Sequence, residues 1–467
     1  MRRAVLVPLI VACALFMENM DSTVIATSLP AIAGDIGENP LALKLALTSY
    51  LVSLAVFIPI SGWVADRYGS RTVFATAIVV FMGGSLLCAA SGSLAEFVGA
   101  RFLQGMGGAM MVPVGRLVLL RTVAKGELVA ALNYLTIPAL LAPVVGPPLG
   151  GFITLTFNWR WIFLINLPVG VLGLVLVLRH IPNIREPEIP SLDFRGFLLS
   201  GIGLSVLVLG LSTLGGHLLS NGVASLCMVA GALALAAYWL HSRRTPHPLL
   251  DLQLLKIATM RAGIVGGSLF RTGVGATPFL LPLLLQLGFG LNPLQSGLLT
   301  CATAIGAMFM KTLTIRILKR YGFRSVLISN ALLASASVAV YGLFTAGTPH
   351  VVLVIIFLLG GCLRSLQFTS LNAISFADVT SRNMSQATSL SSMGQRLSQS
   401  LGVAIGAYAL ELSSVLQGHE TVVAADFWPA FVAIALIASA SILFVTPLPQ
   451  DAGAELSGQR KPEEAER

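Results

Sequence analysis

Long apolar runs recur from one end of this chain to the other, and they constrain its fold more than any other feature. Each run has about 20 residues, enough for a helix rising about 1.5 Å per residue to cross about 30 Å of hydrocarbon. Charged residues make up 10% of the 467 positions, and soluble domains have about 25%. The sequence therefore predicts an all-α integral membrane protein with about fourteen spans. Their predicted bounds are 5–30, 45–65, 73–92, 95–120, 129–156, 161–179, 196–214, 222–240, 261–287, 294–317, 324–344, 350–372, 386–412 and 427–446.

The first run begins like a secretory signal peptide, because Arg2 and Arg3 precede its apolar residues. It lacks a small-x-small cleavage site and continues past Met17, so we expect it to remain as the first span. The cysteines are odd in number, scattered and inside apolar segments, which favours small buried side chains over a metal or redox site. They are Cys13, Cys88, Cys227, Cys301 and Cys362.

Basic residues are distributed unevenly about the predicted spans. The net charge is +9. With the N-terminus inside, most of the 29 basic residues fall on one side, and only Lys44 and Arg160 fall on the other. This asymmetry follows the positive-inside rule and predicts a multi-pass protein of the inner cell membrane with two cytoplasmic termini. The positive charge then reflects topology, and we expect no nucleic-acid partner.

An internal repeat predicts two homologous halves. The segment ADRYGSRTVF, which begins at Ala65, aligns with LKRYGFRSVL, which begins at Leu318. Such duplication is common in secondary transporters, whose substrate path lies between the halves near the membrane midplane. We expect the two extra spans of the central linker to be peripheral, because they carry almost no intramembrane charge. The predicted domains are an N-terminal six-helix bundle at 1–180, the linker at 181–258, a C-terminal six-helix bundle at 259–447 and a disordered cytoplasmic tail at 448–467.

A charged turn joins the second and third spans in GWVADRYGSRTVF, which begins at Gly62. We expect Gly62 to let two helices approach closely and Asp66 to accept hydrogen bonds from helix amides or arginine. Arg67 and Arg71 would anchor the turn at the cytoplasmic surface, and a hairpin that merely obeys topology is the alternative. The stretch resembles the cytoplasmic-loop motif of the major facilitator superfamily, G-x-L-a-D-r-x-G-r-k-x-x-l. The resemblance implies a conformational gate at these residues and Gly69.

A second stretch, RFLQGMGGAMMVPVGRL, begins at Arg101. Its glycines Gly105, Gly107 and Gly108 reduce one helix face to backbone, which permits either close packing or a polar cavity. The stretch is similar to the fourth-helix motif of that superfamily's proton antiporters. The resemblance implies that a buried Arg101 takes part in proton coupling.

A third stretch, LLAPVVGPPLGGF, resembles the fifth-helix antiporter motif g-x-x-x-G-P-x-x-G-G through Gly146, Pro147, Gly150 and Gly151. Proline removes a helix hydrogen bond and the glycines thin the helix surface, so we expect a bend at which the halves can rock. Packing alone is the alternative, because glycine and proline are frequent in membrane helices.

The end of the first span, MDSTVIATSLP, resembles the motif l-D-x-T-i-v-n-v-A-L-P of the fourteen-helix drug:proton antiporter family, with Asp21, Thr23 and Pro30 matching. WRWIFLINLPVG, which begins at Trp159, is similar to the start of that family's sixth helix. The resemblance implies a major facilitator fold of two six-helix bundles plus two extra central transmembrane helices. It also implies proton-coupled multidrug efflux, a role in antibiotic resistance, and a proton gradient in place of a cofactor.

Two carboxylates inside the first span need a functional reason, because a carboxylate at the bilayer centre costs about 2.5–3.5 kcal/mol. Glu18 and Asp21 are three residues apart and project to one helix face. Such a pair can hold a proton and release it when the cavity opens or a cationic substrate arrives. We predict proton coupling by Asp21, Glu18 and Arg101, and substrate contacts by Glu18, Asn19 and Asp21. Alternatively, a buried base such as Arg101 merely neutralises a carboxylate.

Basic residues also lie within or near the spans of the second half, where Glu411 is almost the only acid. Four buried cations would favour an anionic or zwitterionic cargo, unless they pair with the acids of the first span. Lys311 is expected to extend from a helix end to the surface instead. The other three, which are substrate-binding candidates, are Arg271, Arg364 and Arg396.

These patterns predict a proton-coupled antiporter that exports small organic molecules, with export of an anionic metabolite or metallophore as the alternative. An enzyme is disfavoured, because the six histidines lie in loops or near helix ends without catalytic or metal-binding spacing. No segment is typical of a selectivity filter, and no G-x-x-x-x-G-K-[ST] sequence provides for ATP. The expected partners are a small-molecule substrate, protons and the lipid bilayer, for a monomer with no metal and no cofactor.

Overall fold

The computed structural model describes most of the chain, and every regular element in the described ranges is helical, as the sequence predicts. The described residues are 3–123, 128–186, 189, 191–215, 219–246, 248–380 and 383–457. Some predicted features lie outside them, namely Arg2, Lys125, His217, His247, Arg382 and the tail beyond residue 457.

Contacts divide the chain into two compact units, of which unit 1 comprises Met1–Tyr238 and Leu291–Cys301. The helices that begin in this unit are α1 (Arg3–Val24), α2 (Leu29–Ile36), α3 (Lys44–Tyr68), α4 (Ser70–Ala90), α5 (Leu94–Thr122), α6 (Leu128–Thr156), α7 (Trp161–Leu164), α8 (Asn166–His180), α9 (Phe194–Thr213), α10 (Asn221–Arg244) and α14 (Pro293–Tyr321). They pack mainly as α1 on α6 and as α3 and α4 on α5, and α9 lies against α3.

Unit 2 comprises Trp239–Gly290 and Ala302–Arg467. Its helices are α11 (Ala258–Arg261), α12 (Gly267–Gly275), α13 (Thr277–Leu283), α15 (Phe323–Tyr341), α16 (His350–Ile374), α17 (Met384–Leu416), α18 (Phe427–Ser439), α19 (Ile442–Val445) and α20 (Ala454–Ser457). Two π-helical turns, Ala262–Gly266 and Leu284–Gly288, flank α12 and α13. Helix α12 packs on α17 and α18, and α15 packs on α16 and α18.

The described helices bear out the predicted fold class. Within the described ranges, thirteen helical stretches are long and apolar enough to cross a membrane, and the shorter apolar stretch Leu140–Thr156 of α6 corresponds to the remaining predicted span. The stretch Ala258–Gly288 counts as one span although π-helical turns interrupt its regular α-helix. The predicted domain boundaries, including the separate linker, remain predictions.

The repeated sequence occupies an equivalent turn in each unit. Gly69 lies between α3 and α4 with φ +96°, and Gly322 lies between α14 and α15 with φ +73°. Side chains disfavour this backbone region, so glycine permits the immediate reversal from one helix into the next. The repeat is therefore visible in backbone conformation as well as in sequence.

Candidate functional site

A buried ion pair joins α1 to α5 in unit 1. Arg101 donates through one terminal nitrogen to Asp21 Oδ2 at 2.6 Å, and the two residues are 0% and 3% exposed. The other carboxylate oxygen, Oδ1, accepts from Gln104 Nε2 at 2.8 Å and from Asn166 Nδ2 at 2.9 Å. Ser85 Oγ accepts from the same two amides, at 2.7 and 3.3 Å. Helices α5 and α8 thus donate to the Asp21 carboxylate of α1, and Ser85 of α4 holds the two amides.

Aromatic rings cover the cation of this pair. The Arg101 guanidinium lies 4.3 Å from the ring centroid of Tyr50 and 5.8 Å from that of Phe163. Ring faces attract cations, particularly where water is excluded. The Arg101 charge is therefore balanced by one carboxylate and two π-systems.

Glu18 lies one helical turn before Asp21 and is 1% exposed. The Tyr50 hydroxyl points to Glu18 Oε1 at 3.5 Å, so Tyr50 contacts Glu18 through its oxygen and Arg101 through its ring. Gly108 leaves room for this contact, because a Cβ there would lie 3.1 Å from the Tyr50 hydroxyl. Both predicted acids therefore belong to one polar cluster. In this cluster Glu18 contacts Tyr50, and Asp21 pairs with Arg101.

The sequence analysis missed four members of this cluster, namely Tyr50, Ser85, Gln104 and Asn166. Gln104 and Asn166 stand inside the quoted stretches RFLQGMGG and FLINLPVG, where an amide within an apolar run was the available signal. Asn19, which was predicted, donates instead to the Leu15 carbonyl of its own helix at 2.8 Å. Its substrate contact remains a prediction.

The glycines of α5 serve close helix packing. A Cβ at Gly105 would lie 2.7 Å from the Tyr50 carbonyl of α3, and one at Gly107 would lie 2.6 Å from the Phe81 amide of α4. The sequence permitted either close packing or a polar cavity at these glycines, and the structure shows close packing at Gly105 and Gly107. Close packing also brings α3 and α4 near enough for their polar side chains to reach the Asp21 cluster.

The α3–α4 turn forms an ion-pair network through a residue that the sequence analysis did not single out. Arg121, at the end of α5, donates to Asp66 Oδ1 and to Glu186 Oε1, both at 2.7 Å. Backbone hydrogen bonds add to the contact, because the Glu186 amide donates to the Asp66 carbonyl at 3.2 Å. Arg67 is exposed and Arg71 is half-buried, and neither has an ion pair with Asp66 in the described part of the chain.

Gly62 does not have its predicted packing role. It is exposed, and a Cβ at this position would meet nothing within 4 Å. The expected close approach of a second helix at Gly62 is therefore wrong for this structure, because the glycine faces open space.

The antiporter-like stretch of α6 lies against α1 and the start of α14. A Cβ at Gly146 would overlap the Thr23 side chain, and one at Gly150 would overlap the Val24 carbonyl. Gly151 faces the Pro293 backbone in the same way, while the Pro147 carbonyl accepts from Thr27 Oγ1 at 3.4 Å. The helix runs without a break from Leu128 to Thr156. Close packing is thus observed, and rocking at a bend remains a prediction.

The basic residues of unit 2 differ from one another in burial and contacts. Arg271 is 4% exposed, donates to Asn372 Oδ1 at 2.6 Å and lies 5.6 Å from the Phe368 ring centroid. Arg364 and Arg396 are half-buried. Lys311 is exposed, as expected for a long side chain that extends to the surface.

An ion pair outside the spans ties α2 to the start of α7 in unit 1. Arg160 and Trp159 both donate to Asp35 Oδ2, the indole nitrogen at 3.1 Å, and the Arg160 guanidinium lies 4.4 Å from the Trp159 ring centroid. Hydrogen bonds from Arg160 and then Trp159 lower the pKa of Asp35 below its usual value. This carboxylate therefore stays ionised over the neutral range.

Comparison with known proteins identifies the family. The model of the Major Facilitator Superfamily matches residues 11–267 and again residues 263–465. The chain belongs to the major facilitator superfamily. This membership makes it a multi-pass membrane transporter of small molecules, and not an enzyme. The resemblance drawn from the sequence motifs is confirmed at the level of the superfamily.

Similarity to relatives and to solved structures extends over most of the chain. "Putative multidrug resistance protein MdtD" of Serratia proteamaculans (strain 568) is 40% identical over 397 residues, which are 85% of this chain and 83% of the relative. The protein of the same name from Yersinia enterocolitica is 37% identical over 450 residues, which are 95% of each chain. A peptide transporter POT in complex with sulfate superposes with TM-score 0.71 at 14% identity, covering 97% of this chain and 95% of that one. A D-xylose-proton symporter gives TM-score 0.69 at 13% identity, covering 96% and 98%. At these identities the two structures establish the fold alone.

Proposed function

We propose that this transporter is a proton-coupled antiporter that exports small organic molecules, including drugs. The observation that carries the proposal is the buried Asp21 carboxylate, held by Arg101, Gln104 and Asn166. A titratable group at this depth has a functional role by default. The names of the MdtD relatives support drugs as cargo.

The geometry suggests how proton binding to Asp21 can move the Arg101 side chain. Protonation of Asp21 would remove the negative charge that holds Arg101, so the guanidinium would need another acceptor. Gln104 Oε1 already lies 2.5 Å from the same Arg101 nitrogen, and Tyr50 connects that region to Glu18. Proton binding would therefore shift Arg101 towards Gln104 and Glu18, and deprotonation would return it to Asp21. A cargo that alters this balance becomes coupled to the proton.

The proposal also covers the energy source, the oligomeric state, the membrane location and the conformational latch. The proton gradient serves as the energy source, without a metal or another cofactor. The protein acts as a monomer in the inner membrane with both termini in the cytoplasm, as the distribution of basic residues favours. Asp66 with Arg121 acts as a conformational latch at the α3–α4 turn, a role that its ion pair with Arg121 supports.

A second candidate function is export of an anionic metabolite or metallophore. Arg271 favours it, because this buried cation has an amide and an aromatic ring as its observed contacts and no ion pair among the described residues. A buried charge without a counter-charge is costly, and an anionic cargo would supply one.

The test replaces Asp21 with asparagine and measures efflux from everted vesicles with and without an imposed pH gradient. A panel of cationic, neutral and anionic compounds separates the two cargo classes. Asp21→Asn keeps an oxygen that can accept from Arg101 but cannot titrate, so proton-driven efflux should disappear while the protein remains inserted. Exchange of labelled for unlabelled cargo, which needs no net proton movement, should persist. Wild-type efflux against a gradient in this variant would remove Asp21 from the coupling mechanism.

A further inference from the structure

A small pocket in unit 2 lies between the α12–α13 region, α15 and α16. Its polar lining consists of Thr277 from α13, Ser337 and Tyr341 from α15, and Arg364 from α16. The other lining groups are apolar or glycine, with Val274 as an example. Among the described residues, the lining of the pocket therefore combines one cation with three hydroxyls and no carboxylate.

Arg364 is the charged group of this pocket. It shares the pocket with Tyr341, and it forms no ion pair within the part of the chain that the structure describes. A guanidinium beside apolar side chains loses hydration without gaining a full counter-charge. An anion in the pocket would supply that counter-charge.

The hydroxyls differ in whether their protons are already used. Ser337 donates to the Ala334 carbonyl at 2.7 Å. Thr277 is 2% exposed, and its Oγ1 has no hydrogen-bond partner in the described residues. A buried hydroxyl without a partner is rare, because its desolvation is not compensated. Thr277 thus lines the pocket with an unused donor.

We propose that this pocket binds the carboxylate group of an anionic or zwitterionic cargo. The planar Arg364 guanidinium matches a carboxylate, with Thr277 as a further donor and Tyr341 available after rotation of its hydroxyl. Gly360 leaves room for the Tyr341 hydroxyl at the edge of the pocket, because a Cβ at that position would overlap this hydroxyl. The enclosed space is about the size of a water molecule, so one carboxylate oxygen enters it and the body of the cargo remains outside. This inference deepens the proposed function and rests on it, because the bound group is taken to belong to transported cargo.

Equilibrium binding of radiolabelled benzoate to the full chain in lipid nanodiscs tests the pocket without any proton gradient. Benzoate should bind saturably, and the neutral isostere benzamide should compete at least about tenfold more weakly, because it lacks the charge. Arg364→Gln should weaken benzoate binding by about tenfold or more, and Arg364→Lys, which keeps the charge but not the planar fork, should have a smaller effect.

Thr277→Val provides a second variant that does not depend on the folding of an arginine mutant. Valine has a similar shape and removes an unpartnered hydroxyl, so thermal stability should be equal or higher while benzoate binds about three- to tenfold more weakly. Ser370→Ala is the matched control. Ser370 is 0% exposed and its hydroxyl also lacks a partner in the described residues, but it does not line the pocket. Its loss should leave benzoate binding unchanged.

The outcomes separate this inference from antiport. Benzoate binding that depends on Arg364 and Thr277, together with efflux that does not depend on the pH gradient, would support the binding pocket and reject proton coupling. Proton-driven efflux with benzoate binding that is absent, or equal in wild type and Thr277→Val, would reject the pocket alone. Displacement of benzoate by equimolar chloride but not by unlabelled benzoate analogues would indicate a site for inorganic anions and also reject the proposal.

Discussion

The two units share their packing but not their charges. In unit 1, Gly146 and Gly150 of α6 lie against α1, and in unit 2, Gly402 and Gly406 of α17 lie against the α12–α13 region. Both pairs have a spacing of four residues, which places the glycines on one helix face. The similarity shows that close helix approach is a property of the repeated scaffold.

The charged contacts between helices, in contrast, differ between the two units. In unit 1, α1 and α5 are joined by the ion pair of Asp21 and Arg101, whereas in unit 2, α12 and α16 are joined by Arg271 and the neutral Asn372. Burying a charge costs free energy unless it is paired. Helix packing alone would therefore not favour charged side chains at these positions of a duplicated scaffold. The positions at which the two units differ in charge are therefore the candidates for a role in transport.

Loss of one partner from the unit 1 pair should have the largest effect on stability. Arg101→Met leaves the Asp21 carboxylate buried without its cation, so we expect a loss of about 3–5 kcal/mol in the free energy of unfolding. Arg271→Met removes a cation that has no acidic partner among the described residues, so the expected change is within about 1 kcal/mol. Unfolding in mixed micelles measures both, and adding Asp21→Asn to Arg101→Met should restore part of the loss. Equal losses for the two arginines would break the comparison.

Glycine substitutions should show that the packing is duplicated. Gly150→Ala places a methyl group against the Val24 carbonyl, and Gly402→Ala places one against the Thr272 carbonyl. Each should lower the free energy of unfolding by about 1–3 kcal/mol, because backbone cannot move as easily as a side chain. Gly62→Ala is the control and should be neutral or stabilising by up to about 1 kcal/mol, since its Cβ would meet open space. A larger loss in Gly62→Ala than in the other two would contradict the packing argument.

The smallest of the three effects is expected at the repeated turn, where Asp66 aligns with Lys319. Asp66→Asn weakens one contact of Arg121, which keeps its ion pair with Glu186, so turnover should fall by at most about fivefold with cargo affinity preserved. Lys319→Gln should leave both quantities unchanged. Initial efflux rates and equilibrium cargo binding distinguish the two parameters. Reduced binding with unchanged turnover per bound molecule would rule out a latch at Asp66.

The apolar runs and the repeated segment were sufficient for the spans, the two halves and the depth of Asp21, and the family resemblance implied the buried Arg101. They could not supply partners, because a polar residue in an apolar run indicates burial but not which distant residue it meets. Asp21 meets Asn166 across 145 positions, and Arg121 was one basic residue among many near a helix end. The Gly62 prediction failed for a related reason, since a glycine permits close approach but does not supply the helix that would approach.

The contact between Trp159, Arg160 and Asp35 gives unit 1 an internal optical reporter. Trp159 is 3% exposed, whereas the other tryptophans are half-buried or exposed. Its indole donates to a carboxylate and lies beside a cation, and both neighbours shift the energy of its excited state. Because the folded-state pKa of Asp35 is lowered, the stabilisation from this contact is present at neutral pH and is lost as the pH falls through that lowered value. The fluorescence of Trp159 should therefore stay constant through the neutral range and change only in acid, so that emission changes at neutral pH report movement of α2 against α7.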